Sequence, residues 1–355
     1  MAPSNIPSPN YAPLDALLDR LSSSDAELKN GLTNHAPMVV EALCALGRGD
    51  AAGAWLDDYA HELKPRARSK APIDRGDDVG ALGRLDRIAD WHVFFTAALA
   101  RAPWRDVLRD WIPKLAPGVS GAATHGVIRA AHAVRALAER DTPARKDECA
   151  AGLAYWAATF RALPLAGQET RLDALRALGQ VPFVPDDRRR NLGSIDDALG
   201  VLADWQPFAP VGALLDVGRA PARVAADLTS AFARVLLSNA RSWIEAIVFV
   251  HAITSSVAVT SLAAFVETAD ARALMRYGWQ AAAALYSVYG ARRSDAAPDT
   301  PPIPAAELID DALATGDEHA IKCTEACLRA WRQSGDPALL AAARHATRLL
   351  ARTPA

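Results

Sequence analysis

The sequence predicts an all-α protein, built as an array of antiparallel helices packed around a central buried site. Alanine and aliphatic residues dominate, and hydrophobic residues make up 51% of the 355 residues. Runs of alternating β-branched and polar residues, which are typical of strands, are nearly absent. The breaks between apolar stretches carry prolines and capping residues, as expected at the ends of helices.

The first half of the chain contains helical stretches separated by clear stop signals. Asn34 can cap a helix that ends at Gly47, and Pro117-Gly118 ends another. A loop rich in glycine, aspartate and proline covers residues 70–83. The first predicted helix has His35 at its N-terminus and Pro37 in its first turn and runs through Leu46. The next predicted helices run from about Leu85 to Ala100, from Trp104 to Leu115, from about Gly121 to Arg140, and onward from Pro143.

The second half begins with two predicted loops, at residues 181–193 and 206–221. Two long apolar helices follow, and two amphipathic helices close the chain. The stretch from Trp243 to Phe265 is long enough to span a bilayer. Because it carries Glu245 and His251, which are costly to place in lipid, we interpret it as a buried central helix.

The domain organisation follows from length and composition. Residues 14–355 are predicted to form a single helical domain, since no repeat of fixed period is present. Residues 1–13 are rich in proline, serine and asparagine and lack the pattern of a secretory signal, which predicts a disordered tail. Residues 291–304 combine prolines and charges and are predicted to form a linker-like loop.

Charge and cysteine content exclude several classes of partner and site. With a net charge of −2, the chain has no basic surplus for nucleic acid, and we expect neither a nucleic-acid nor a membrane partner. The four cysteines show no Cys-x-x-Cys spacing, so neither a disulfide framework nor a four-thiolate zinc site is predicted. A reducing cytoplasm fits this composition. The cysteines are Cys44, Cys149, Cys323 and Cys327.

The common nucleotide and hydrolase motifs are missing. The sequence contains no G-x-G-x-x-G and no G-x-x-x-x-G-K-[ST] pattern, which disfavours a cofactor held in a Rossmann domain or a P-loop. It also lacks the G-x-S-x-G elbow, so serine hydrolase chemistry is not indicated.

Histidines within apolar stretches are the strongest chemical signal. Neutral imidazole is the commonest metal ligand in proteins, although a single buried histidine is more often a hydrogen-bonded part of the core. Several such residues together indicate a metal site. Five of the eight histidines lie in or beside alanine-rich or aliphatic stretches, namely His35, His125, His132, His251 and His319.

Helical spacing relates some of these residues to one another. His125 and His132 are two turns apart on one helix face, and Arg129 lies between them on that face. His319 and Lys322 share a face in the same way. The other histidines have different settings: His61 and His345 are expected on solvated faces, and His92 beside Trp91 in core packing.

Several blocks, taken in order, resemble the questin oxidase family over roughly residues 30 to 335. The similarity lies in the combination of blocks and their order. The blocks are NHAPM from Asn34, HGVIRAAHAVR from His125, LAYWAA from Leu153, HAITS from His251, and DEHAIK from Asp317, which leads into CTEACLR from Cys323.

This resemblance implies an oxidoreductase that cleaves or oxidises polycyclic aromatic ketones such as anthraquinones with dioxygen. Some relatives are described as NADPH-dependent enzymes of Baeyer–Villiger type, and others suggest a non-haem iron held by histidines and a carboxylated lysine. Carried over by motif, the ligands of Fe(II) here are His35, His125 or His132, His251 and His319, with Lys322 as the modified lysine. The spacing leaves open which of His125 and His132 binds the metal.

The chemistry of these residues is compatible with that implication. A lysine reacts with carbon dioxide only as the neutral amine, and burial near a cation lowers its pKa. An electron-rich aromatic substrate is expected to pack against Trp91, Tyr155 and Trp156 while dioxygen oxidises the ring next to a carbonyl. Arg129 either stabilises a phenolate or enolate or is a structural ion-pair partner on its helix.

Two other classes of function remain as alternatives. A non-catalytic helical scaffold or ligand-binding protein would need the histidines only as polar groups in the core. Hydrolysis at a zinc site is disfavoured further, because no carboxylate base such as that of H-E-x-x-H accompanies the histidines. A metal enzyme requires the histidines to meet at one place in the folded chain.

Overall fold

The computed structural model describes residues 6–74, 76, 78–189, 193–292 and 304–351. Helices account for 69% of the chain, and the sheet found in these ranges has two strands, so the predicted all-α class is confirmed. The predicted linker-like loop 291–304 lies outside the described residues except for 291, 292 and 304.

Sixteen α-helices and two strands can be traced in the described ranges. The helices are α1 (Leu14–Leu21), α2 (Ala36–Ala45), α3 (Gly49–Tyr59), α4 (Asp78–Ala81), α5 (Ile88–Arg101), α6 (Trp104–Leu115), α7 (His125–Glu139), α8 (Pro143–Ala158), α9 (Ala174–Leu178), α10 (Ile195–Leu199), α11 (Pro221–Asn239), α12 (Trp243–Ala263), α13 (Thr268–Tyr289), α14 (Ala305–Thr315), α15 (Glu318–Ser334) and α16 (Pro337–Leu350). The strands are β1 (Ser24–Leu28) and β2 (Leu63–Pro65). Short 3-10 helices cover Ala60–Glu62, Leu85–Arg87, Ala116–Gly118, Gly121–Thr124, Gly200–Leu202 and Gln206–Ala213.

Helix α12 lies at the centre of the fold and packs against α7, α11, α13, α15 and α16. It is long and apolar enough to cross a membrane, but 89% of its most apolar 18-residue stretch is buried inside the protein. The prediction of a buried central helix is therefore confirmed. Burial of its aliphatic residues on all sides explains why the stretch shows no polar face.

The number of helices in the second half was predicted wrongly. Three long helices, α11 to α13, replace the expected two, because Ser242 and Glu245 form a capping box that begins α12 directly after α11. Three helices, α14 to α16, close the chain where two were expected. Gly316 and Gly335 adopt left-handed conformations there and end α14 and α15 within one residue.

The helix expected over residues 121–140 begins later than predicted. Regular α-helix starts at His125, and a short left-handed turn precedes it. The helix then packs closely on α8, because Gly126 and Gly152 allow the two backbones to approach. A Cβ at Gly126 would lie 2.6 Å from Trp156 Cα, and one at Gly152 would lie 2.9 Å from Ala130 Cα. This close contact fixes the direction in which α7 enters the core.

The two-stranded ribbon was not predicted. Strands β1 and β2 pair antiparallel, and the short β2 gives too few residues for a legible alternation. The ribbon holds the segment that leads into α2. Asn34 donates through its backbone N to Ala26 O (2.9 Å) and through Nδ2 to Asp25 O (2.9 Å). Asn34 Oδ1 also accepts from the backbone N of Ala36, the first residue of α2, at 3.0 Å, although His35 occupies the N-cap position.

Part of the expected disordered tail is in contact with the helices. Residues 1–5 lie outside the described ranges, but residues 6–13 run along α2. Asn10 N donates to Cys44 O (2.8 Å), and the Tyr11 hydroxyl donates to Glu41 Oε1 (2.8 Å). Ile6 and Tyr11 also pack on buried apolar side chains. The prediction of a disordered tail was therefore wrong for residues 6–13. The segment is polar overall, but Ile6 and Tyr11 attach it to the helices.

Candidate metal centre

Four histidines and one lysine meet where α2, α7, α12 and α15 come together. His35 precedes α2, His125 is the first residue of α7, His251 lies in the middle of α12, and His319 and Lys322 lie in the first turns of α15. All five are buried. The chain thus brings together residues separated by almost its whole length.

The imidazole rings form a closed cluster. Ring centroids lie 4.8 Å apart for His35 and His125, 4.7 Å for His35 and His319, 4.5 Å for His125 and His251, and 5.2 Å for His251 and His319. His35, His125 and His319 each offer a nitrogen, and these atoms lie within 4.8 Å of one another. A group of side-chain nitrogens arranged in this way could hold a metal ion.

Hydrogen bonds fix the tautomers of two of these rings. His125 Nδ1 lies 2.6 Å from Ala122 O, and His251 Nδ1 lies 2.7 Å from Ile247 O. Because a carbonyl oxygen only accepts, each Nδ1 carries the proton, and each Nε2 of the neutral ring has a free lone pair. These two Nε2 atoms face each other at 3.0 Å.

Two facing lone pairs repel unless a cation lies between them. Two nitrogens bound at right angles to one ion, each about 2.1 Å from it, lie about 3.0 Å apart. The separation of the two Nε2 atoms equals this value. The backbone carbonyls behind His125 and His251 orient the rings in the way that outer partners of metal-binding histidines usually do.

Burial keeps these histidines neutral. It is the largest cause lowering the pKa of His35, His125 and His319 well below the usual value, and Lys322 and the neighbouring histidines lower each further. For His251, burial and Lys322 lower the pKa from 6.5 to about 3. At neutral pH the rings are unprotonated, which is the form that binds a metal.

Lys322 touches the cluster directly. Its Nζ lies 3.0 Å from His35 Nδ1. Burial lowers the pKa of Lys322 from 10.5 to about 8, although Glu318 and Asp317 act in the opposite direction. The neutral amine therefore makes up about a tenth of the population at pH 7. Such a lysine is both a nitrogen donor and a group that reacts with carbon dioxide.

Glu318 is a member of the site that the sequence analysis did not assign. Its Oε1 lies 3.7 Å from His35 Nδ1 and 3.9 Å from His319 Nδ1. His319 Nδ1 is buried and has no hydrogen-bond partner among the described residues. Asp317, 3.7 Å from the same nitrogen, accepts from the backbone N of His319 and Ala320 and caps α15. The run Asp-Glu-His was the available signal, since it places two carboxylates beside a candidate ligand.

His132 does not belong to the cluster. Its Nδ1 lies 2.6 Å from Glu41 Oε2, and Arg135 Nη2 donates to the same oxygen at 2.6 Å. Arg135 also contacts Glu325, which pairs with Arg329. Of the two histidines that the sequence left as alternatives, only His125 lies in the cluster, because His132 is two turns further along α7 and contacts Glu41.

Arg129 forms a buried ion pair, as one of its two interpretations expected. Its Nε and Nη2 donate to the two oxygens of Glu148 at 2.7 and 2.9 Å, and the pair is buried. Arg129 lines a cavity of about 20 Å³ together with Arg66 and His92. This space holds about one water molecule and no aromatic ring system. The ion pair with Glu148 favours the structural interpretation, although Arg129 Nη1 is buried without a hydrogen-bond partner among the described residues.

The three aromatic residues expected to contact a substrate have different positions. Trp91 stacks on Phe95 with centroids 5.6 Å apart and donates to Ala81 O, so it belongs to the core. The Tyr155 hydroxyl is 2.7 Å from Thr33 Oγ1, two residues before His35. Trp156 lies against the turn of α7 that follows His125, and its Nε1 is buried without a partner among the described residues.

The donor set fits a metal ion. It consists of neutral imidazoles with facing lone pairs, a neutral or cationic amine, and a carboxylate at the edge. No family model matches the chain, and no curated protein sequence matches it either. The geometry of the site is therefore the basis for a functional proposal.

Proposed function

We propose that the protein is a non-haem, metal-dependent oxygenase that uses dioxygen to cleave or oxidise a polycyclic aromatic ketone. The observation that carries this proposal is the pair of Nε2 atoms of His125 and His251, which face each other at 3.0 Å while both Nδ1 atoms donate to carbonyls. The resemblance of the sequence blocks to questin oxidases supplies the reaction class. His125 and His251 belong to both supports.

In this proposal His35, His125, His251 and His319 hold Fe(II). Bound Fe(II) would supply the one-electron chemistry that lets dioxygen react with an aromatic substrate. An anionic oxygen comes from a carbamate on Lys322 or from the carboxylate of Glu318, both of which adjoin His35. NADPH, which the resemblance also suggests, would act as a diffusible reductant, since the sequence contains no dinucleotide-binding glycine motif.

The surrounding residues have separate tasks. Ala122 and Ile247 orient two of the ligand rings through their carbonyls. Trp156 has a buried Nε1–H that a substrate carbonyl would satisfy, because an unpaired buried donor is costly. Glu318, with 29% of its side chain exposed, can take the proton of a phenolic hydroxyl at Oε1. Burial of the cluster excludes water from the reacting centre.

A non-catalytic scaffold or binding protein is the second candidate. One observation favours it: Lys322 Nζ donates to His35 Nδ1, so part of the cluster is satisfied without any metal. This function predicts a folded protein in which the histidines only stabilise the core. It leaves the facing Nε2 atoms of His125 and His251 unexplained.

The first experiment measures metal content by mass spectrometry after anaerobic loading with Fe(II). Wild type is expected to hold about one iron per chain, and His251→Ala and His319→Ala to lose it. His61→Ala is the control, because that side chain is 74% exposed. A folded wild type that binds no iron would favour the scaffold function. Oxygen uptake with a panel of anthraquinones and hydroxylated aromatic ketones then tests the reaction class.

A further inference from the structure

A strained turn lies directly before the ligand His125. Ala122, Ala123 and Thr124 have φ angles of 47°, 51° and 75°, and they are the only non-glycine residues with positive φ in the part of the chain that is described. A left-handed conformation is unfavourable for each such residue, because it brings Cβ close to the following carbonyl oxygen. Three in succession persist only where the surroundings hold them.

The turn provides a hydrogen bond that a helix would not provide at this position. His251, in the middle of α12, donates from Nδ1 to the carbonyl four residues earlier, Ile247 O. His125 is the first residue of α7 and has no preceding helical turn to offer such a carbonyl. The left-handed turn places Ala122 O 2.6 Å from His125 Nδ1 instead. The strained backbone thus fixes the tautomer of this ring.

Asp196 and Arg161 hold the turn from outside. Ala123 N donates to Asp196 Oδ1 at 3.1 Å. Arg161 donates from Nη2 to Asp196 Oδ2 and from Nη1 to Asp196 O, both at 2.6 Å. The segment before the turn is tied to the same place, because Ser120 Oγ donates to Arg161 O at 2.7 Å. A Cβ at Gly121 would lie 1.8 Å from Thr159 O, so that close contact requires glycine.

We infer that Asp196, supported by Arg161, is a positioning residue of the metal centre. It keeps residues 122–124 left-handed and thereby holds His125 with Nε2 free to bind. This inference rests on the proposed function for the identity of the site, but the orientation of His125 is a property of the metal-free protein. The side chains of Arg161 and Asp196 are 37% and 32% exposed, so the ion pair itself contributes little to stability.

The test reads the tautomer of His125 by ¹⁵N NMR of histidine-labelled, metal-free protein, with His125→Gln used to assign the signal. Wild type is expected to carry the proton on Nδ1. Asp196→Ala is expected to shift His125 toward the Nε2-protonated form and to weaken Co(II) binding by about 10- to 100-fold, with altered visible absorption bands. Asp196→Asn keeps an acceptor for Ala123 N and is expected to retain most of both properties.

Two further variants separate positioning from general damage. Asp227→Ala removes a matched pair, since Arg219 and Asp227 are 32% and 37% exposed and 2.7 Å apart, and it is expected to change neither property. Adding Ala122→Gly and Ala123→Gly to Asp196→Ala removes the strain that Asp196 counteracts, because glycine adopts positive φ freely. These glycines are expected to restore the tautomer and most of the affinity.

The outcomes distinguish the two proposals. An Asp196→Ala protein with the wild-type tautomer and wild-type Co(II) affinity overturns the inference and leaves the proposed function intact. Loss of both properties without rescue by the glycines also overturns it, because the effect would then be general. If wild type binds neither Co(II) nor Fe(II) but Asp196→Ala changes the tautomer, the proposed function fails while the role of Asp196 in orienting His125 stands.

Discussion

Lys322 is the residue whose protonation and carboxylation most affect the proposed chemistry of the site. It is buried 3.0 Å from His35 Nδ1, and its pKa of about 8 makes the neutral amine accessible at physiological pH. A carbamate on Nζ would turn a group that repels a metal ion into an anionic oxygen ligand. Glu318, one helical turn earlier on α15, is the competing source of that oxygen.

We expect Lys322→Arg to abolish the dependence of metal binding on bicarbonate, because guanidinium forms no carbamate under these conditions. Wild type should take up ¹³C-bicarbonate as a carbamate signal in ¹³C NMR and should bind Fe(II) more tightly when bicarbonate is present. The arginine variant should show neither effect. Equal iron content in wild type with and without bicarbonate would assign the anionic ligand to Glu318.

Glu318→Gln tests whether the Glu318 carboxylate is the anionic ligand, because glutamine has almost the same shape as glutamate but carries no charge. We expect metal affinity to fall by about 10- to 100-fold, since a carboxylate near His35 Nδ1 and His319 Nδ1 orients both rings. The measurement is competition for Co(II) with a chelator of known affinity. Glu307→Gln is the control, because its side chain is 49% exposed and lies on a different helix. An unchanged affinity would show that Glu318 is dispensable to the site.

At the scale of elements, α2, α7 and α15 share two polar layers. The first layer contains the candidate ligands at the beginnings of the three helices. The second lies about two turns further on and joins Glu41, His132, Arg135 and Glu325. Burial by itself raises the pKa of Glu41, but Arg135 and the hydrogen bond from His132 outweigh it, so the net shift is downward. This network keeps the three helices in register.

Glu41→Gln is expected to lower the free energy of unfolding by about 3–5 kcal/mol, because it leaves Arg135 as a buried cation with one partner fewer. Urea unfolding followed by circular dichroism measures the loss. Asp57→Asn, which removes an exposed partner of Arg20, should cost less than about 1 kcal/mol. Similar small losses in both variants would refute a structural role for the network.

At the scale of the whole molecule, the buried histidines and Lys322 make stability rise with pH, whereas Asp317 and Glu318, whose pKa values are raised by burial, act in the opposite direction. A histidine with a folded pKa below 6.5 binds fewer protons in the folded than in the unfolded chain. For His251 this difference covers the window from about 3 to 6.5. The free energy of unfolding therefore rises with pH through this window, and the contribution of His251 is lost when the pH falls below it. Lys322 acts in the same sense between about 8 and 10.5.

We expect the metal-free protein to unfold at lower urea concentration at about pH 5 than at about pH 7.5. Urea titrations with a chelator present measure the difference. His251→Gln should weaken the pH dependence, because one buried titrating ring is removed, whereas His61→Gln, at an exposed position, should not. Identical midpoints at the two pH values would mean that the cluster is open to water.

The sequence alone determined the helical class, the buried nature of α12, and the four histidines that meet at the centre, because apolar composition and histidines in apolar stretches are local signals. Lys322 was assigned through the family resemblance. The sequence could not choose between His125 and His132, since a seven-residue spacing puts both on one face of α7. The two differ only in the side chains beside them, which are His251 at His125 and Glu41 at His132. The partner of Arg129 and the role of Glu318 were likewise undecided. These depend on contacts between distant helices, and the left-handed turn before His125 depends on Asp196 from another element. At residues 122–124, contacts with distant parts of the chain stabilise a left-handed backbone that these residues do not prefer locally.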